Sequence, residues 1–167
     1  MANLIRQQKL IDNNKRALIK YVIVSDGSAT ANVRLLDVST LNLALNTNGK
    51  IMTGGVDPKS NYRTSIKRIF GASKTSGTVK LQWEGDANSE IIAYGSGNFD
   101  YDFQSMGDVA VIPNSEANAT GDILISFGSP GSGDVHTIFV DLRKDARDFD
   151  QGQTADPVAF NRGPAAP

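Results

Sequence analysis

Apolar and polar residues alternate with a period of two along much of this chain, the spacing of strands that keep one face in a core and the other in water. The clearest case is Val79, Leu81 and Trp83 alternating with Lys80, Gln82 and Glu84. Phe99, Tyr101 and Phe103 alternate in the same way with Asn98, Asp100 and Asp102, which predicts a strand with one aromatic and one acidic face. Residues 17–24 are different: from Ala17 to Val24 the run is almost continuously apolar, rich in β-branched residues, and closes on Ser25-Asp26-Gly27-Ser28. This predicts a central strand buried on most of both faces. A helix is the competing reading, weakened by the β-branched content and by the Asp-Gly stop.

Other elements follow from the same pattern. Residues 4–11 fit an edge strand or a turn of helix, Asp12-Asn13-Asn14 a turn, and residues 32–38 a strand. Ser39-Thr40 ahead of Leu41, Leu43 and Leu45 suits a short capped helix and an alternating strand equally well. Residues 46–61 read as a loop with a brief strand at Ile51-Met52, of a length at which loops often make contacts. Residues 62–70 and 79–84 predict a hairpin across 71–77, residues 89–94 a further strand, and residues 104–120 a loop with a short strand at 109–112. Residues 122–127 and 135–142, on either side of Gly128-Ser129-Pro130-Gly131-Ser132-Gly133, predict a closing hairpin. Many short strands with Gly-rich turns make an all-β fold, an antiparallel β-sandwich or jelly-roll-like domain over residues 1–144.

Beyond Lys144 the composition changes. Residues 145–167 hold three of the six prolines, and their apolar content is reduced to scattered anchors at Phe149, Val158 and Phe160. Such a segment cannot build a core of its own. The expectation is an extended C-terminal arm that lies on a neighbouring subunit, with Phe149, Val158 and Phe160 as its partner-binding residues.

Lys and Arg total 17 against 18 Asp and Glu, so no bulk field draws the chain to nucleic acid or to an anionic membrane, and neither is expected as a partner. There is no cysteine, which removes disulfides, thiolate chemistry and Cys-ligated zinc. No apolar run approaches the roughly 18 residues of a membrane helix, and Met1-Ala2-Asn3-Leu4-Ile5-Arg6 lacks the basic and apolar regions of a signal peptide. A soluble protein made in a cytoplasm is the expectation.

Candidate chemistry is sparse. His136, the single histidine, would have to serve any Ser-His-Asp triad, yet no nucleophile neighbours it in sequence, so a structural or surface role is expected. One histidine and no cysteine leave no zinc set of ordinary composition. Asn98, Asp100 and Asp102 share a strand face, as do Asp86, Asn88 and Glu90, but neither run continues as a calcium loop, and solvated faces are the simpler reading. The 128–133 loop lacks the Lys and Ser/Thr that complete a phosphate-binding loop. Lys67, Arg68, Lys74 and Lys80 near Trp83 could form a basic patch of the kind that lines nucleic-acid grooves, against which the neutral total argues. No catalytic, metal-binding or cofactor-binding residue is expected, and no enzyme.

The order Leu10-Ile11-Asp12, Lys20-Tyr21, Ser25-Asp26-Gly27, Leu36-Asp37-Val38-Ser39, Val79-Lys80-Leu81-Gln82-Trp83, Thr120-Gly121-Asp122-Ile123 and Leu142-Arg143-Lys144 resembles small all-β virion structural proteins of tailed bacteriophages, over about residues 4–144. The resemblance implies a non-enzymatic virion subunit, above all a capsid decoration or cement protein that clamps major capsid subunits. A neck, tail or baseplate component is the alternative. Other virion proteins would be its partners, with the chain present as a homo-oligomer or in many copies on a symmetric assembly after synthesis in the host cytoplasm. From a different class, a carbohydrate-binding β-sandwich module would show exposed aromatics beside Asp100 and Asp102.

Overall fold

The computed structural model describes residues 3–52, 58–74, 78–87, 90–105, 117–128 and 130–151. They form two antiparallel sheets facing each other as a sandwich, with no α-helix among the described residues. One sheet has five strands in the order β1 (Leu4–Asp12), β2 (Arg16–Asp26), β9 (Ser132–Lys144), β4 (Thr64–Ser73) and β7 (Gly97–Asp102). The other has four, in the order β3 (Thr30–Leu36), β8 (Ile123–Gly128), β5 (Thr78–Trp83) and β6 (Ile91–Gly95).

The core lies between the sheets and is built by the period-two pattern. From the five-stranded sheet come Ile19, Tyr21, Ile23, Ile66, Ile69, Ile138, Val140 and Leu142; from the other come Val79, Leu81, Trp83, Ile123, Ile125 and Phe127, all buried. Complete burial of an Ile or Leu side chain contributes about 1.5–3 kcal/mol, so this interface carries most of the stability. The apolar run of β2 alternates after all: Ala17, Ile19, Tyr21 and Ile23 are sealed, while Leu18, Val22 and Val24 are half-buried on the outer side. β2 is an inner strand, but the middle of its sheet is β9, and the expectation of burial on both faces does not hold. No second layer covers the outer side among the described residues.

Both long-range hairpins read from the sequence are replaced by crossings between sheets. β4 pairs with β9 and β7 whereas β5 pairs with β8 and β6; β8 pairs with β3 and β5 whereas β9 pairs with β2 and β4. Alternation fixes which face of a strand is buried but not which strand lies at its edge. In each case the consecutive strands place their apolar faces opposite each other across the core instead of side by side. The Ser39–Leu45 stretch is neither helix nor strand. One 3-10 turn, Val38–Thr40, starts on the Asp37 carboxylate, which accepts from Ser39 N–H at 3.0 Å, and isolated bridges follow at Ala44, Leu45 and Asn46. The strand expected at 109–112 lies outside the described residues.

The C-terminal boundary also moves. Residues 145–151 belong to the sandwich: Ala44 bridges Phe149, Leu45 N–H donates to Asp148 O at 2.8 Å, and Asp150 N–H donates to Leu43 O at 2.8 Å. Asp148 is buried and accepts from Arg63 N–H at 2.9 Å and from Lys59 Nζ at 3.1 Å. Phe149 is 0% exposed and packs its ring 5.7 Å from that of Tyr62. It is a core residue of its own domain and cannot anchor a neighbour. Poor local composition hid this, because the apolar partners of Phe149 come from a distant loop. Val158 and Phe160 lie outside the described residues.

Candidate functional site

The outer face of the five-stranded sheet is the most extensive organised surface, and the strand register lays it out in rows. Leu4, Val24 and Val135 stand side by side on β1, β2 and β9, with Leu4 and Val135 about half exposed. Two residues along are Arg6, Val22, Thr137, Ala72 and Asn98, and then Gln8, Lys20, Phe139, Phe70 and Asp100, each row crossing all five strands. Phe70 and Phe139 stack with centroids 4.6 Å apart and planes 2° from parallel. Lys20 Nζ lies 5.9 Å from the centre of the Phe139 ring, and the Arg68 guanidinium 4.9 Å from that of Phe70. The two rings therefore touch each other and a cation, favourable contacts for the ring quadrupole.

This band also accounts for the acidic face of β7. Asp100 accepts from Arg68 Nε at 2.8 Å, and the guanidinium lowers its pKa. Asp102 caps the following turn, accepting from Gln104 N–H at 3.0 Å. Phe99, Tyr101 and Phe103 lie on the opposite, inner side, half-buried against the core. The aromatics of β7 itself are thus turned away from Asp100 and Asp102, and the rings that stand beside Asp100 on the outer face are the half-buried, mutually stacked Phe70 and Phe139. No group of three or more acidic or histidine side chains placed to hold a metal occurs among the described residues.

The basic patch is not assembled either. Arg68 is paired with Asp100, Lys74 with Asp134, and Lys80 lies on the other sheet, while Trp83 is 2% exposed inside the core.

His136 does have a nucleophile beside it, which sequence neighbours could not reveal. Ser73 Oγ, 63 residues away in the chain, lies 2.8 Å from His136 Nδ1. Both are buried, and the imidazole packs on the Phe127 ring at 5.1 Å. Burial lowers the pKa of His136, partly offset by Asp134. The third element of a triad is not formed: His136 Nε2 has no hydrogen-bond partner among the described residues, and the Asp134 carboxylate accepts from Lys74 Nζ and from Gly131 N–H. A substrate would have to open the core to reach Ser73.

A polar cluster with one buried member, Asp122, lies where β3 meets β8, with Arg34 about half exposed over it. Arg34 donates to both Glu84 carboxylate oxygens, at 3.0 and 2.8 Å, and its Nε is 3.3 Å from Asp122 Oδ2. Asp122 is 6% exposed, and burial raises its pKa to about 7, against the Val38 N–H bond at 2.9 Å. These contacts tie the 3-10 turn to the four-stranded sheet.

No family model, curated protein or solved structure matches this chain.

Proposed function

We propose that this protein is a non-enzymatic structural subunit of a tailed-phage virion, acting as a capsid decoration or cement protein that clamps neighbouring major capsid subunits. The observation that carries the reading is the exposed cross-strand row Leu4, Val24 and Val135 at one end of a five-stranded outer face with no layer over it among the described residues. Contiguous apolar surface of this kind marks interaction sites. A firm sheet with an exposed apolar row suits a subunit repeated on a symmetric lattice, where a modest contact is multiplied. The sequence resemblance points the same way.

The test is antibody labelling of intact particles, emptied heads and detached tails. Labelling of intact and emptied heads at many sites per particle is expected. Labelling confined to necks or tails would overturn the cement assignment in favour of a neck, tail or baseplate role, and absence from particles would overturn the virion assignment altogether.

A further inference from the structure

The outer face of the four-stranded sheet carries a different surface. Lys80 is the cross-strand partner of both Tyr94 and Ser126, and Asn32 N–H donates to Ser126 Oγ at 3.0 Å, so four side chains form one row across the sheet. With Thr30 and Thr78 they line a groove of about 490 Å³, inside the roughly 300–1,000 Å³ range of small-ligand sites. Tyr94 is 49% exposed, the most exposed aromatic side chain among the described residues. Its backbone is fixed, since the Tyr101 hydroxyl donates to the Tyr94 carbonyl. Lys80 makes no ion pair among the described residues. Asn32 is held at φ 53, a left-handed conformation that Asn tolerates better than most residues, and its Oδ1 accepts from Gln82 Nε2 on β5 at 3.0 Å.

We propose that this groove binds an acidic saccharide. The Tyr94 ring supplies an apolar face for the C–H side of a pyranose, and Lys80 supplies a charge-assisted hydrogen bond to a uronate or sialate carboxylate. Thr78, Ser126 and Asn32 line the groove beside Lys80, with Ser126 Oγ accepting from Asn32 N–H and Asn32 Oδ1 accepting from Gln82 Nε2, which leaves the Asn32 amide nitrogen and the Thr78 hydroxyl to meet sugar hydroxyls. Ala29, Ala31 and Phe127 complete the lining, so apolar surface alternates with short hydroxyl and amide groups and one ammonium, a mixture that suits the apolar and hydroxyl faces of a sugar ring. The groove also differs from the Phe70–Phe139 pair, whose rings are engaged by each other, Lys20 and Arg68. This site shares no residue with the proposed capsid-facing surface, and its test is independent of where the chain sits in a particle.

The experiment uses the full chain, first on an array of uronate- and sialate-terminated and neutral oligosaccharides, then in a ¹⁵N-correlation NMR titration with tetragalacturonate and with a neutral hexose tetrasaccharide. Acidic members of the array are expected to bind, with saturable shifts at millimolar ligand concentrated on Thr78, Lys80, Tyr94 and Ser126. Tyr94→Ala should weaken binding about tenfold, equivalent to about 1.4 kcal/mol, and Lys80→Gln should remove the preference for the acidic sugar. Both side chains are at the surface, so the same spectra verify that the variants fold. No binding by any saccharide, shifts elsewhere on the domain, or affinity unchanged in Tyr94→Ala would overturn the site. Equal affinity for the neutral sugar would overturn the role of Lys80 and the acidic class.

Discussion

Lys144 and Asp12, 132 residues apart in the chain, form an ion pair in which the lysine side chain is 0% exposed and the aspartate 11%. The ammonium also donates to the carbonyls of Asn13 at 2.8 Å and Asn42 at 2.7 Å, so its three N–H groups meet three acceptors. Phe149 lies beneath it, the ring centre 5.2 Å from Nζ. Burial lowers the pKa of Lys144. Burial opposes ionisation of Asp12 too, but hydrogen bonds from Lys144 and Asn42 N–H bring its pKa below the ordinary value. The pair thereby joins the β1–β2 turn, the loop at Asn42 and the end of β9.

Removing one charge of such a pair strands the other. Lys144→Met should cost about 3–5 kcal/mol in urea unfolding, and Asp12→Asn in the same chain should restore part of that loss. An unfolding midpoint unchanged in Lys144→Met would show that the pair does not hold these three segments together.

The placement of Phe149 separates domain from arm. Phe149→Ala should destabilise by about 3–5 kcal/mol. A chain ending at Gln151 should be more stable than one ending at Lys144 by a similar margin, because the shorter chain loses both Asp148 and Phe149. Equal thermal midpoints for the two truncations would refute the boundary drawn here.

His136 should make stability fall in mild acid. Its pKa is lowered in the folded protein by burial, below the ordinary 6.5, so between the two values the unfolded chain binds more protons. The contribution is fully present above pH 6.5 and is lost as pH falls through the folded value. Asp122, with its pKa raised to about 7, contributes a slope of the opposite sign over this range, so in urea unfolding from pH 8 to pH 5 the expected result is that His136→Met gains stability relative to the unaltered chain as pH falls. An identical slope in the variant would mean that His136 does not titrate differently on folding.

The strands were legible wherever alternation was strict: Val79, Leu81 and Trp83 point inward as their spacing requires, and Phe99 and Asp100 take opposite faces. Pairing was not legible. Nothing local distinguishes a hairpin from two strands that cross between sheets, and the contiguity of residues 122–127 with 135–142 suggested the wrong neighbour. Ser73 beside His136 and Lys144 beside Asp12 depend on strands brought together from distant parts of the chain. Phe149 looked isolated because its apolar surroundings, Tyr62 and Ala44, lie far from it in sequence. The Tyr94 groove was missed for the same reason, since Asn32, Lys80, Tyr94 and Ser126 share a face only once four strands are in register.

The position of β9 has a consequence for synthesis. The strand that occupies the middle of the five-stranded sheet is also, among the described strands, the last to be synthesised, and it supplies a ladder to β2 on one side and to β4 on the other. Until it emerges, β2 and β4 have no strand between them, and the β1–β2 hairpin must persist in the nascent chain with its inward Ile19, Tyr21 and Ile23 uncovered. Closure of such non-local ladders is slow, and the waiting hairpin is open to association with other chains. Completion of the sheet thus waits on β9, and the chain is at its most adhesive in the interval between synthesis of β4 and the arrival of that strand.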